Sequence, residues 1–132
     1  MPNQYATSAG MRRGSVVTLK ASGAQTSSTN GGAVDAGGGS TATVTVTVTA
    51  ASGTTPTMTV AIQGSADGTN WVTLGTIGAG GYSVGTTDSA PSNFTAAATS
   101  RAVFPAPQFL RYASTIGGST PSFTYSVTAA VS

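Results

Sequence analysis

The chain has 132 residues, enough for one domain and too few for a second sizeable core. Ala, Gly, Ser and Thr supply 80 of them, and the only charged side chains are Arg12, Arg13, Lys20, Arg101, Arg111, Asp35, Asp67 and Asp88. With His, Cys and Glu absent and a net charge of +2, the composition excludes Ser-His-Asp and Cys-His catalysis, zinc sites of the usual N/S type, and the clustered cations of a nucleic-acid footprint.

Residues 1–14 hold two Gly, two Arg and no alternating pattern, which predicts an extended N-terminal arm ahead of a single folded domain over 15–132. Met1–Tyr5 lacks the basic region and apolar run of a secretory signal, so none is expected. Ser15–Lys20 reads as the first short strand. Ser22–Ser40 follows as a Gly/Ser/Asn-rich connection, with a brief strand at Ala33–Ala36.

Thr41–Thr49 is the clearest element. Val44, Val46 and Val48 fall on one face and the threonines on the other, and every residue from Thr43 onward is β-branched. Ser52-Gly53-Thr54-Thr55-Pro56 is expected to close this strand. Thr57–Gln63 opens the next, with Met58, Val60 and Ile62 sharing a face. Asp67-Gly68 then predicts a type I′ hairpin turn leading into Trp71–Leu74. Residues 75–100 are Gly- and Ala-rich, with one weak strand around Tyr82–Val84. Arg101–Phe104, Phe109–Thr115 and Ser122–Val131 read as three closing strands, and no segment carries a helical period.

An internal echo pairs Gly53-Thr54-Thr55-Pro56-Thr57-Met58-Thr59-Val60 with Gly118-Ser119-Thr120-Pro121-Ser122-Phe123-Thr124-Tyr125. It predicts the same hairpin made twice, by duplication or by convergent turn chemistry. Short strands with Gly-rich turns imply an all-β fold: an antiparallel β-sandwich of jelly-roll or immunoglobulin-like type. Its predicted core is Val44, Val46, Val48, Met58, Val60, Ile62, Trp71, Leu74, Phe104, Leu110, Phe123, Tyr125 and Val127.

No charge lies between Asp35 and Asp67, and that window contains the most aggregation-prone stretch, Thr43–Thr49. The strand either sits mid-sheet, paired on both sides, or contributes to a subunit interface. So low a charge content suits a protein packed against neighbours in an assembly. No general base is available near neutral pH, so no enzyme activity and no cofactor are expected. No stretch is long and apolar enough to span a bilayer as a helix, and neither membrane nor nucleic acid is expected as a partner.

The remaining candidates are weak. Asp67–Asn70 offers one carboxylate, too few for a good Ca²⁺ site, and reads as a turn. Trp71, Tyr82, Tyr112 and Tyr125 would serve as a sugar-stacking platform if exposed together, and as core or core-rim anchors otherwise. Gly78–Gly81 matches no phosphate loop. Arg101 and Arg111 are expected to pair with Asp35 or Asp88 or to lie at an interface.

Gln63-Gly64-Ser65-Ala66-Asp67-Gly68-Thr69-Asn70-Trp71, then Phe109-Leu110-Arg111-Tyr112, then Gly117-Gly118-Ser119-Thr120-Pro121-Ser122-Phe123-Thr124 resembles small virion proteins of tailed bacteriophages, over about residues 40–130. Discoidin-like and carbohydrate-binding sandwiches share the Asp-Gly-x-Asn-Trp turn and the Arg-Tyr strand. Among phage proteins the resemblance implies a capsid decoration, or cement, protein. Such a protein would sit on the outer capsid surface of a virion assembled in the host cytoplasm. It would bind the major capsid protein and copies of itself, often as a trimer. On that implication the arm and its vicinity supply the contacts, through Tyr5, Arg12, Arg13 and Lys20. A tail or baseplate component and a carbohydrate-binding module are the alternatives.

Overall fold

The computed structural model describes residues 15–37, 40–85 and 91–132. The expected arm, with Tyr5, Arg12 and Arg13, lies outside the described residues, as does Asp88. The described chain forms eight strands and no helix: β1 (Ser15–Gln25), β2 (Thr29–Asn30), β3 (Val34–Asp35), β4 (Thr41–Ser65), β5 (Val72–Gly78), β6 (Gly81–Val84), β7 (Ala98–Pro105) and β8 (Phe109–Val131). Every ladder between them is antiparallel. The all-β antiparallel class is therefore as the alternation predicts.

β4 and β8 are the backbone of one continuous sheet, with the order β1-β8-β4-β5-β6; β2 and β3 also pair with β8, and β7 with β4. The Thr41–Thr49 segment lies mid-sheet, flanked by β7 on one side and β8 on the other. This is the mid-sheet placement, one of the two that its uncharged, β-branched sequence left open. Its ladder groups are occupied on both sides, so it offers no free edge for pairing with other chains.

Both long strands double back at their centres. Ala42 pairs with Phe104, and Ile62 pairs with Gly75. A straight strand would hold Ala42 and Ile62 about 65 Å apart. Yet the Phe104 ring occupies the space that a Cβ at Gly75 would need. Tyr82 packs edge-on against Phe104, with centroids 5.7 Å apart, and the Ser100 hydroxyl donates to the Ala79 carbonyl at 3.3 Å. The N-terminal half of β4 and its neighbour β7 thus face the C-terminal half and its neighbours β5 and β6.

The bends fall where closing turns were expected. Ser52–Pro56 does not end a strand, and Gly117–Pro121 does not separate two; each lies inside a long strand at a register irregularity. The echo repeats a bend, not a hairpin. Gly53 and Gly118 have φ of 112° and 110°, and Thr55 and Thr120 have φ of 47° and 46°. Each threonine hydroxyl donates to the preceding carbonyl at 2.8 Å. The two bends also pack on each other reciprocally. A Cβ at Gly53 would meet Thr120 O and Pro121 Cα, and one at Gly118 would meet Thr55 O and Pro56 Cα.

The same equivalence runs through the topology. β1 pairs with the C-terminal half of β8, as β5 pairs with the C-terminal half of β4. β2 and β3 lie on the N-terminal half of β8, as β7 lies on that of β4. Each half of the chain supplies short strands to the other half's long strand, around a pseudo-twofold near the Thr54–Ser119 pair. Among the described strands only β6 has no counterpart.

The core is continuous across both halves. Val44, Val46, Val48, Met58, Val60, Ile62, Phe104, Leu110, Phe123, Tyr125 and Val127 are buried as predicted. Leu74 is only half-buried, and Trp71 is half-buried outside this core. Ile77 and Phe94, from the Gly- and Ala-rich stretch 75–100, are fully buried in addition to the predicted core; Phe94 exchanges two backbone hydrogen bonds with Met58, at 2.7 and 3.0 Å. The Asp67-Gly68 turn is also longer than a two-residue type I′ hairpin. Residues 66–71 link β4 to β5, and only Gly68 among them has positive φ.

Candidate functional site

Of the four residues that the resemblance places in partner contact, Lys20 is the one within the described residues. It sits at two register shifts of β1. Its ammonium donates to the carbonyls of Ala21, Gly23 and Tyr125 at 3.1, 2.9 and 3.0 Å. It also lies 4.3 Å from the Tyr125 ring centroid. Burial lowers its pKa from the ordinary lysine value. All three N–H groups are directed at the protein itself, so Lys20 locks an irregular strand and offers a partner positive charge without a spare donor.

The outward face around the N-terminal half of β4 is assembled from four strands in cross-strand rows. One row runs Val16, Ala130, Thr43, Val103; the next runs Thr18, Thr128, Thr45, Arg101; the third includes Ser126, Thr47 and Thr99. None of these side chains is buried, and Arg101 is the only charge among them. Arg101 makes no hydrogen bond or ion pair among the described residues. Val16 and Val103 are 66% and 50% exposed, so the face combines apolar patches with threonine hydroxyls.

Arg111 is arranged differently. Cross-strand pairing sets Gln63 between Arg111 and Thr73. The Arg111 Nε donates to Gln63 Oε1 at 2.6 Å, and the guanidinium carbon lies 4.5 Å from the Trp71 ring centroid. The Gln63 amide donates to Thr73 Oγ1 at 3.4 Å. Arg111 therefore pairs with an amide and an indole in place of Asp35. Asp35 instead accepts from the Gly37 N–H at 2.7 Å and the Gln108 amide at 2.6 Å. The sequence carries no local signal for the Arg111–Gln63–Trp71 group, because it depends on which residues β4 and β8 bring opposite each other.

The four aromatics do not form one open platform. Tyr112 and Tyr125 are buried, packed edge to face at 6.3 Å. Gln25 serves both hydroxyls: it donates to Tyr112 Oη at 2.9 Å and accepts from the Tyr125 O–H at 2.5 Å. Burial, the largest cause, pushes the Tyr125 hydroxyl up to about 12, against a smaller opposing hydrogen bond from Ser114. Trp71 is stacked with Arg111, and Tyr82 packs on Phe104.

The 66–71 loop is organised by Asp67. Its Oδ1 accepts from the backbone N–H of Thr69 and Asn70 and from the Ser65 hydroxyl, and its Oδ2 accepts from the Asn70 amide, at 2.8–2.9 Å throughout. These donors, the Asn70 and Thr69 backbone first, hold its carboxyl well below the usual carboxylate range. The segment is a turn, as read from the sequence, and the carboxylate organises it. Beside the loop runs an open groove of about 340 Å³, lined by Gly64, Ser65, Val72, Leu74 and Pro107 among others. No protein-family model matches this chain, and no curated protein matches it as a relative.

Proposed function

We propose that the chain is a non-enzymatic structural protein of a tailed-phage virion, which binds the outer capsid surface and reinforces the shell. The observation that carries this reading is the outward face around the N-terminal half of β4. It is a broad sheet surface of Thr, Ser, Ala and Val with one charge, which a neighbouring protein can cover without desolvating a set of ions. The resemblance of the Asp67 loop, the Phe109–Tyr112 strand and the Gly117–Thr124 segment to small virion proteins supports the same reading.

On this proposal the doubled-back sheet works as the two layers of a sandwich, and the contacts between Phe104, Gly75 and Tyr82 are what support it. Residues 1–14 serve as the arm, and Tyr5, Arg12 and Arg13 with Lys20 provide contacts to the major capsid protein and to further copies of this chain. Reinforcement comes from multivalency: each copy adds a modest interface, and many copies bridging neighbours add far more than one.

The test is to mix the purified protein with capsids that lack it and image them by cryo-electron microscopy. Ordered density at symmetry-related positions on the shell supports the reading, with residues 1–20 touching a neighbour. A bare shell overturns it. Density confined to the tail of complete particles would assign the chain to the tail or baseplate.

A further inference from the structure

Arg111 has a feature that the outward threonine face does not explain. A guanidinium carries five N–H donors in a rigid plane. At Arg111 one of them, on Nε, is bound to Gln63 Oε1, and the plane is fixed by the Trp71 ring. No hydrogen bond or ion pair engages the two terminal nitrogens among the described residues, and the side chain is partly exposed. Of the acids among the described residues, Asp67 accepts four hydrogen bonds from Ser65, Thr69 and Asn70, and Asp35 is held through Oδ1 by Gly37 and Gln108. A cation partly removed from water, oriented by two neighbours and with no anion paired to it among the described residues, has the form of a receptor half.

We propose that Arg111, positioned by Gln63 and Trp71, is a docking site for the carboxylate of an Asp or Glu side chain on a partner protein. The inference does not depend on where in a virion the chain sits. The two free nitrogens present a fork that matches the two oxygens of a planar carboxylate. Gln63 and Thr73 share the row of Arg111, Ala61 and Ala113 form the next row on one side, and the next on the other side runs Ser65, Phe109, Asp35, whose carboxylate is already hydrogen-bonded to Gly37 and Gln108. A polyphosphate backbone would meet one cation there, whereas nucleic-acid binding draws on several. A single acidic side chain is answered in full by one guanidinium.

The experiment uses the full-length protein, isotope-labelled for NMR, with the Arg111 Nε–Hε and Trp71 indole resonances as reporters. Arg101, which has neither stack nor amide partner among the described residues, is the internal control. Titration with a terminally blocked Gly-Glu-Gly peptide is expected to shift the Arg111 and Trp71 signals saturably, with little change at Arg101. The blocked Gly-Gln-Gly peptide is expected to bind at least tenfold more weakly. Arg111→Lys keeps the charge and removes the fork, and is expected to lose the saturable shift while retaining the β-sheet circular dichroism spectrum. Gln63→Leu frees Nε and is expected to weaken binding several-fold. If Arg111 responds no more than Arg101, or equally to both peptides, the proposal is overturned. Tighter binding of inorganic phosphate than of the Glu peptide also overturns it, in favour of a phosphate site. The wild-type comparison stands even if a variant fails to fold.

Discussion

Thr55 and Thr120 hold backbone angles that a β-branched residue adopts only at a cost of about 1–3 kcal/mol. Gly53 and Gly118, two residues earlier in each bend, tolerate their positive φ because no Cβ is present. Adding one would place it 2.7 Å from Thr120 O at Gly53 and 2.6 Å from Thr55 O at Gly118, and backbone cannot swing aside as a side chain can. Gly53→Ala and Gly118→Ala are each expected to lower stability by about 2–4 kcal/mol in urea unfolding. The reciprocal packing further predicts that the two losses are similar; a neutral result at either site would contradict the bend geometry. Asp67 makes a prediction at acid pH. Its folded pKa is depressed, so its contribution to stability is present above the unfolded carboxylate value and is lost as pH falls below about 4. Asp67→Ala should lower the melting temperature at neutral pH and flatten the acid branch of the stability curve. Tyr125 acts at the opposite end. Its raised pKa means that its contribution is complete below about 10, the unfolded tyrosine value, and is lost as pH rises through about 12. Tyr125→Phe should reduce that alkaline loss in pH-dependent unfolding.

At the scale of elements, β4 and β8 do what two separate pairs of strands would otherwise do. Because each continues through its bend, one ladder carries both halves, and the side-chain contacts between the halves need only hold them face to face. Phe104 is central to that task, since it reaches Gly75 on β5 and Tyr82 on β6 from its place on β7. Phe104→Ala is expected to cost about 3–5 kcal/mol, measured by chemical denaturation. A loss below 1 kcal/mol would mean that the halves are held elsewhere. Lys20 and Gln25 act on β1 in a similar supporting role, one satisfying carbonyls at its irregularities and the other joining two buried tyrosine hydroxyls.

For the whole molecule, the pseudo-twofold makes each half incomplete without the other: β1, β2 and β3 pair with β8, while β5 and β7 pair with β4. The outward face built by β1, β8, β4 and β7 is then a product of both halves. Thr47 lies in it between Ser126 and Thr99, one row from Arg101. Thr47→Lys is expected to leave folded stability within about 0.5 kcal/mol while lowering occupancy on capsids in the imaging experiment. Unchanged occupancy would remove this face from the proposed interface.

Local pattern was enough to place the strand at Thr41–Thr49, to separate its buried valines from its outward threonines, and to name most of the large core residues. A period of two is a property of neighbouring residues and needs no knowledge of the partner strand. The presence of a turn at Asp67 was legible for the same reason, since its bonds span at most three residues, although its length was not. What Gly-x-Thr-Pro does was not legible: the same chemistry ends a strand or bends one, and the choice rests on the strand that continues alongside. Ile77 and Phe94 escaped notice because their burial comes from pairing with β4 across a Gly- and Ala-rich stretch with no pattern of its own. Arg111, Gln63 and Trp71 were likewise scattered over 49 residues of sequence. Register alone set Gln63 opposite Arg111 and the loop set Trp71 against it, because a sheet's cross-strand neighbours are fixed by long-range pairing and not by proximity along the chain.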